Sequence, residues 1–171
     1  MAEMLKEREA IAAVLQDAKP VWRVCFVCTG NTCRSPMAEA VANVLLQMRG
    51  KGDEAFSRGL YANENEPISS GALAALQEAQ IPPVEVHDYR KHTARNLREG
   101  EVEHFDLLVA MTPAHAMELM MRFPQAASKI VCMPCPISDP YGGDRATYAA
   151  CLKQIQEGVH ALLTDGGQHA D

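Results

Sequence analysis

No apolar stretch in this 171-residue chain approaches the roughly 18 residues needed to cross a bilayer, so membrane-spanning function is excluded. The basic surplus of a nucleic-acid binder is missing too. Sixteen Lys+Arg stand against 22 Asp+Glu, a formal charge of −6. The start of the chain lacks the basic segment and uncharged apolar centre of a secretory signal. Glu3, Lys6, Glu7, Arg8 and Glu9 crowd it instead, and the apolar residues 10–15 form only a short run. Residue 2 is alanine and the chain ends in Asp171, so no lipidation signal is expected. Internal repeats and low-complexity tracts are also missing. The expected location is cytoplasmic, where six cysteines read as thiols rather than a disulfide framework.

What is present suffices for one globular domain. Apolar residues make up 47% and charged residues 22%, which excludes a disordered, collagen-like or coiled-coil chain. A domain of this size buries roughly 70% of its unfolded surface and needs no metal or disulfide staple. Residues 1–20 read as a helical extension, with Met4, Ile11, Leu15 and Ala18 near one face, ended by Pro20. Residues 21–171 read as the domain itself.

Strands and helices alternate along that domain. Residues 24–27 are a short apolar run of the kind that forms a buried parallel strand. A polar loop from Cys28 follows. Ser35 then offers an N-cap and Pro36 a first helical position. Met37, Val41, Val44, Leu45 and Met48 continue at helical spacing, and Gly50 supplies the stop. Residues 55–58 suggest a second strand. Ser69 and Ser70 open a helix carrying Ala72, Leu73, Leu76 and Ala79, stopped by Pro82 and Pro83, and residues 84–86 form a short extended segment. Residues 107–111 and 129–133 are further strands. Between them Thr112 and Pro113 start a helix that ends near Phe123. After a Pro/Gly-rich loop at 134–143, Tyr148, Cys151, Leu152, Ile155, Val159 and Leu162 lie on one helical stripe. This order specifies an α/β fold, a parallel sheet covered on both faces by helices.

Ligands of such sheets bind beyond the carboxyl ends of the strands, where two loops are chemically rich. The first is Cys28-Thr29-Gly30-Asn31-Thr32-Cys33-Arg34-Ser35. Its cysteine ends a buried strand and its arginine stands at a helix start. Gly30 and Asn31 tolerate the left-handed backbone of a tight cradle. Successive N–H groups there would form an anion site, and Arg34 would add a permanently charged fork for phosphate oxygens. In that positive field the Cys28 pKa is expected to fall from about 8.5 to well below 7. The thiolate would then be a nucleophile in line with a bound phosphoryl group. The second loop, Ser138-Asp139-Pro140-Tyr141-Gly142-Gly143-Asp144, supplies the acid that such a displacement still lacks. Cys33 lies close enough along the chain to be a candidate resolving thiol for an oxidised Cys28.

Both loops resemble those of the low-molecular-weight protein phosphatase family. Residues 24–39, VCFVCTGNTCRSPMAE, look like its signature, and Asp139-Pro140-Tyr141 looks like its late acid motif. Residues 92–95, HTAR, and 106–111, DLLVAM, fall between them in the expected order. The resemblance runs from about residue 22 to 165. It implies a four-stranded parallel sheet in a three-layer sandwich, no metal or other cofactor, and a cysteinyl-phosphate intermediate. It makes Cys28 the nucleophile, Arg34 the phosphate clamp, and Asp139 the acid that later activates water. It places Thr29, Gly30, Asn31, Thr32, Cys33 and Ser35 around the phosphate, with Ser35 donating to the thiolate. Ser57 and His92 become supports, with Glu39 as the partner of His92. One departure is visible: members often read Ser-Ala-Gly where this chain has Ser57-Arg58-Gly59.

Substrate choice turns on Thr32, with Tyr141 flanking the acid. Tyrosine-directed members typically carry isoleucine at the Thr32 position and the protein-arginine phosphatase branch carries threonine. The resemblance therefore implies a phosphoarginine phosphatase acting on phosphorylated proteins as a monomer, with a tyrosine phosphatase as the alternative. A related arsenate reductase would want two relay cysteines mid-chain, yet none lies between Cys33 and Cys132. A phosphate-binding module would need no acid beside its cysteine. A zinc site on Cys132 and Cys135 lacks a second ligand pair.

Overall fold

The computed structural model describes residues 22–168, and side chains up to residue 163. The expected N-terminal helix lies outside the described residues. Four strands form one sheet: β1 (Arg23–Cys28), β2 (Glu54–Gly59), β3 (Leu107–Ala110) and β4 (Ile130–Cys132). Their order is β2-β1-β3-β4, and every pairing is parallel. The helices are α1 (Arg34–Arg49), α2 (Ser70–Glu78), the single turn α3 (Glu99–Val102), α4 (Pro113–Arg122) and α5 (Arg145–Gln168).

The central strands are buried on both faces, which is why they read as continuous apolar runs. Val24 and Phe26 face a core shared with Met37 and Val41 of α1, Leu76 of α2, and Leu152 and Ile155 of α5. Cys25 and Val27 face the opposite core with Leu119 of α4 and Phe105. The stripe expected on the last helix, Tyr148 to Leu162, is buried throughout. β2 is an edge strand and alternates: Ala55, Ser57 and Gly59 are buried while Phe56 and Arg58 are less so.

Two helix ends and one connecting segment differ from expectation. α1 begins at Arg34 with Cys33 as its N-cap, so Ser35 lies inside the first turn and does not cap it. Its hydroxyl is engaged elsewhere, as described below. α2 stops at Glu78, before Pro82 and Pro83, because the chain turns through Gln80 at φ 59°. Residues 84–87 are a tight turn rather than an extended segment. The His87 N–H donates to the Val84 carbonyl at 2.8 Å. The other ends behave as expected. Gly50 closes α1 at φ 68°, and the Ser69 and Thr112 side chains cap α2 and α4.

All four strands run the same way, so the β1–α1 loop and the 133–144 loop emerge at the same edge of the sheet. Met111 N–H donates to the Val27 carbonyl, and Ile137 N–H donates to the Met111 carbonyl. These two bonds bring residue 137 over the end of β1.

Candidate active site

Cys28 ends β1 and is 3% exposed. Around it the loop of residues 29–33 turns back into α1. The turn is made at Asn31, at φ 57°, the left-handed region where asparagine is tolerated. Gly30, expected to share that role, has no left-handed φ. The glycine that the loop does require is Gly59 of β2. A Cβ there would lie 2.7 Å from the Thr29 carbonyl oxygen and 3.2 Å from the Asn31 Cβ.

Asn31 is fully buried, and each of its side-chain polar atoms has a partner. Its Oδ1 accepts from the Arg95 backbone N–H at 2.9 Å, which fixes the amide orientation. Its Nδ2 therefore donates to Ser35 Oγ at 2.8 Å and to Ser57 Oγ at 3.0 Å. With one lone pair of each hydroxyl so occupied, their protons are directed outward. Ser57 donates to Glu39 Oε1 at 2.5 Å. Ser35 Oγ lies 2.9 Å from Cys28 Sγ and is the donor of this pair when the sulfur is a thiolate, which can only accept. A hydroxyl aimed at sulfur in this way favours the thiolate.

The expected low pKa of Cys28 is not what the surroundings produce. Burial is the largest influence and pushes the thiol up. The Ser35 hydrogen bonds, the Arg34 charge and the Asn31 backbone pull it down and do not outweigh burial. The expectation counted cations and N–H groups and omitted the cost of removing sulfur from water. Among the described residues, therefore, ionisation of Cys28 leans on the donor from Ser35.

Arg34 is buried, and its Nη1 donates to the Ile137 carbonyl at 3.0 Å. Its Nη2 lies 3.8 Å from Asp139 Oδ2. The arginine thus ties the two loops together. Asp139 is half exposed and accepts at Oδ1 from the Tyr141 N–H at 3.1 Å, with Tyr141 itself 77% exposed beside it. Thiol, guanidinium and carboxyl, 111 residues apart at the extremes, converge on one edge of the sheet. Thr32 is half-buried, and its Oγ1 lies 3.8 Å from Cys33 Sγ. The Cys33 thiol is taken by Ser69 Oγ at 3.2 Å and Tyr148 OH at 3.5 Å, and both Cys28 and Cys33 are free.

His92 does support the loop, donating from Nε2 to the Asn31 carbonyl at 2.7 Å. Its expected pairing with Glu39 is not found. Glu39 Oε2 instead meets His87 Nδ1 at 3.0 Å. Arg58 does not form a wall of the cradle. Strand alternation turns it to the opposite face, where it pairs with Glu101 at 3.0 Å and lies over the Phe105 ring.

Sequence reasoning missed His115. Its Nε2 meets Thr29 Oγ1 at 2.8 Å, and its Nδ1 meets Thr112 Oγ1 at 2.9 Å. Burial, then the Arg34 charge, lowers its pKa to about 4, so it is neutral at ordinary pH. The only sequence signal was its place three residues after the cap of α4. Among the described residues no group of three or more His, Cys, Asp or Glu could hold a metal ion. Cys132 ends β4 and Cys135 is exposed. No described helix is long and apolar enough to cross a membrane.

Residues 23–169 match the family described as low molecular weight phosphotyrosine protein phosphatase. The chain belongs to this family. Among relatives of this phosphatase is a low molecular weight protein-tyrosine-phosphatase, PtpB, of Staphylococcus haemolyticus. It is 33% identical, covering 84% of this chain and 99% of the relative. A protein-arginine-phosphatase of Geobacillus stearothermophilus is 32% identical, covering 82% and 93%. The crystal structure of a low molecular weight protein tyrosine phosphatase from T. tengcongensis superposes with TM-score 0.76 at 36% identity, covering 84% of this chain and 99% of that one. A YwlE arginine phosphatase variant, whose active-site cysteine is replaced by a phosphorylated serine, superposes with TM-score 0.75 at 28% identity, covering 87% and 96%. The fold and family expected from the sequence are thus found: a single α/β domain and a cysteine-based protein phosphatase.

Proposed function

We propose that this phosphatase hydrolyses phosphoarginine in proteins through a cysteinyl-phosphate intermediate, with Asp139 as general acid. The supporting observation for the mechanism is the convergence of Cys28, Arg34 and Asp139, with Arg34 between the loops that carry the other two. The phosphorylated serine at the active site of the arginine phosphatase relative is what transfer to the nucleophile position leaves behind.

In the first step the Cys28 thiolate attacks phosphorus, and the bond from phosphorus to the arginine nitrogen breaks. The electron pair leaves on nitrogen, and protonated Asp139 gives that nitrogen its proton. Arg34 and the loop N–H groups hold the three phosphoryl oxygens as charge redistributes among them. In the second step water attacks the phosphocysteine, the Asp139 carboxylate takes its proton, and the thiolate departs with inorganic phosphate free. No cofactor enters either step. The working form is a monomer acting on cytoplasmic phosphoproteins.

Thr32 carries the substrate assignment. Its single hydroxyl, half-buried at the phosphate loop, suits the polar edge of a phosphoguanidinium. Isoleucine there would provide an apolar wall for a phenyl ring. Once it has given up its proton, Asp139 is a carboxylate, half exposed beside the departing arginine side chain, and its charge suits a cationic product. The tyrosine reading is favoured by the relatives of that activity at similar identity. Turnover of phosphoarginine and phosphotyrosine peptides, side by side, decides between them. The wild type should prefer phosphoarginine, and Thr32→Ile should move the ratio of the two kcat/KM values toward phosphotyrosine. A wild-type preference for phosphotyrosine, or a ratio that Thr32→Ile leaves unmoved, replaces the arginine assignment with the tyrosine one.

A further inference from the structure

We propose that His87 is a positioning residue for the nucleophile, acting on Cys28 through a continuous chain of hydrogen bonds. The chain is explicit in the structure. From Cys28 Sγ it runs to Ser35 Oγ, Asn31 Nδ2, Ser57 Oγ and the Glu39 carboxylate, each link between 2.5 and 3.0 Å. It then continues from Glu39 Oε2 to His87 Nδ1 at 3.0 Å, and from His87 Nε2 to Glu54 Oε2 at 2.7 Å. Two elements are thereby stapled together, Glu39 on α1 and Glu54 on β2, by an imidazole held in the turn of residues 84–87.

The proton count decides the state of that imidazole. Each ring nitrogen faces a carboxylate oxygen, and a carboxylate only accepts. Both contacts are satisfied only when both nitrogens carry protons, in the imidazolium form. A neutral imidazole has one N–H and would turn a lone pair toward the other carboxylate. The ring is otherwise enclosed: its side chain is 8% exposed, and its edge packs on Phe56 at 5.0 Å between centroids. The hydrogen bond it donates to Glu39 raises its pKa above the ordinary 6.5, and the one to Glu54 adds to this against the opposing effect of burial.

The other charged groups that line the same cavity of about 320 Å³ are Arg58, Glu85, Asp88, Lys91 and Arg95, with His92. Arg58 is paired with Glu101 and Asp88 with Arg90, so the two carboxylates in direct contact dominate. When His87 loses its proton, one staple is lost and Glu39 Oε2 or Glu54 faces a lone pair. Glu39 then reorients and Ser57 loses its fixed acceptor. The Asn31 amide stays oriented by Arg95, but with the Ser57 side of its Nδ2 no longer anchored it holds Ser35 on the sulfur less firmly. Below the ordinary histidine pKa the staple is complete. It is lost as pH rises through the higher value of the folded protein.

The test rests on the phosphatase reading for one arm and is independent of it for the other. The first arm is the pH profile of kcat/KM on p-nitrophenyl phosphate for wild type, His87→Gln and Glu54→Gln. Glutamine at 87 has one amide and cannot donate to both carboxylates along these two directions. The wild type should show an alkaline loss of about three- to tenfold, the range of one ordinary hydrogen bond. Its midpoint should coincide with the His87 titration read by NMR. His87→Gln should sit at the reduced level across the range without that limb, and Glu54→Gln should move the limb to lower pH. The second arm is the pH profile of Cys28 alkylation by iodoacetamide, which needs no turnover and should shift with the same variants. If the wild type releases no phosphate from any phosphoryl ester or amide, the phosphatase reading fails while the alkylation arm still judges His87. A folded His87→Gln protein whose alkylation profile and alkaline limb match the wild type overturns the proposal, as does a His87 that titrates at 6.5 or below.

Discussion

Replacing Ser35 with alanine isolates the group on which ionisation of the nucleophile depends. Ser35 Oγ is the hydroxyl donor 2.9 Å from Cys28 Sγ, and burial pushes that thiol up. A hydrogen bond to a charged partner contributes about 1.5–3 kcal/mol. Every 1.4 kcal/mol or so is a factor of ten. At a fixed pH on the rising limb of the profile, the thiolate fraction should therefore fall about ten- to one hundredfold in Ser35→Ala. The substitution has a second effect. Asn31 Nδ2 donates to the same hydroxyl, and at a fully buried position it would lose one acceptor. That costs about 1–3 kcal/mol of stability. The two effects separate by assay. Iodoacetamide alkylation of Cys28, followed by mass spectrometry across pH, reads the first, and urea denaturation reads the second. The midpoint of the alkylation profile should move to higher pH, because the thiolate and not the thiol loses a donor. A profile that stays in place while the variant remains folded refutes the directed chain from Asn31 through Ser35 to sulfur.

Asp139→Asn should lower turnover by about 10²–10⁴-fold on leaving groups that need a proton. Burst kinetics with an activated aryl phosphate should show a smaller loss in the first step, and an equal loss there would count against the acid role. Gly59→Ala should destabilise the protein by about 1–3 kcal/mol and weaken competitive inhibition by inorganic phosphate, because the new Cβ meets the Thr29 carbonyl at 2.7 Å. An unchanged melting temperature together with an unchanged inhibition constant would contradict that close approach. His115, at about 4 in the fold against an ordinary value near 6.5, binds fewer protons folded than unfolded between those limits. Its contribution is therefore present above pH 6.5 and lost as pH falls toward 4. His115→Gln should flatten the acid decline of unfolding free energy in that window, and denaturation curves at pH 4, 5, 6 and 7 measure it.

The layering of the fold was legible because burial on both faces leaves a strong signature. Residues 24–27, 107–110 and 130–132 are strands with little or no polar interruption, and a segment with no polar face must lie inside a parallel sheet. Helix boundaries were legible where a side chain only has to cap. Ser69 and Thr112 do so although Ser69 Oγ also meets the Cys33 thiol and Thr112 Oγ1 the His115 ring, because a hydroxyl oxygen with two lone pairs can cap the helix and keep a second partner. The same rule misplaced the start of α1. Ser35 has the residue type of a cap and Pro36 the type of a first turn, but Ser35 is claimed by Cys28 and Asn31. A local preference worth about 1 kcal/mol yields to a buried network whose members would each be left unsatisfied without it.

In the site, legibility followed chain distance. Cys28, Asn31, Arg34 and Ser35 lie within eight residues, and their spacing alone outlines a cradle. Asp139 was legible as a residue type in a rigid loop, and its approach to Arg34 depends on residue 137 lying over the end of β1. The choice between His92 and His87 as the partner of Glu39 was beyond reach. Both histidines stand in the segment that follows α2, five residues apart, and the tight turn at 84–87 decides which ring arrives. Arg58 was different, because the means to place it were present. Ser57 had to face the phosphate loop to serve it, and in a strand the next side chain points to the other face. An arginine where relatives of the family often have alanine therefore could not fill the cradle. It reaches Glu101 and Phe105 across the far face of the sheet, which leaves the Ser57 link between Asn31 and Glu39 intact.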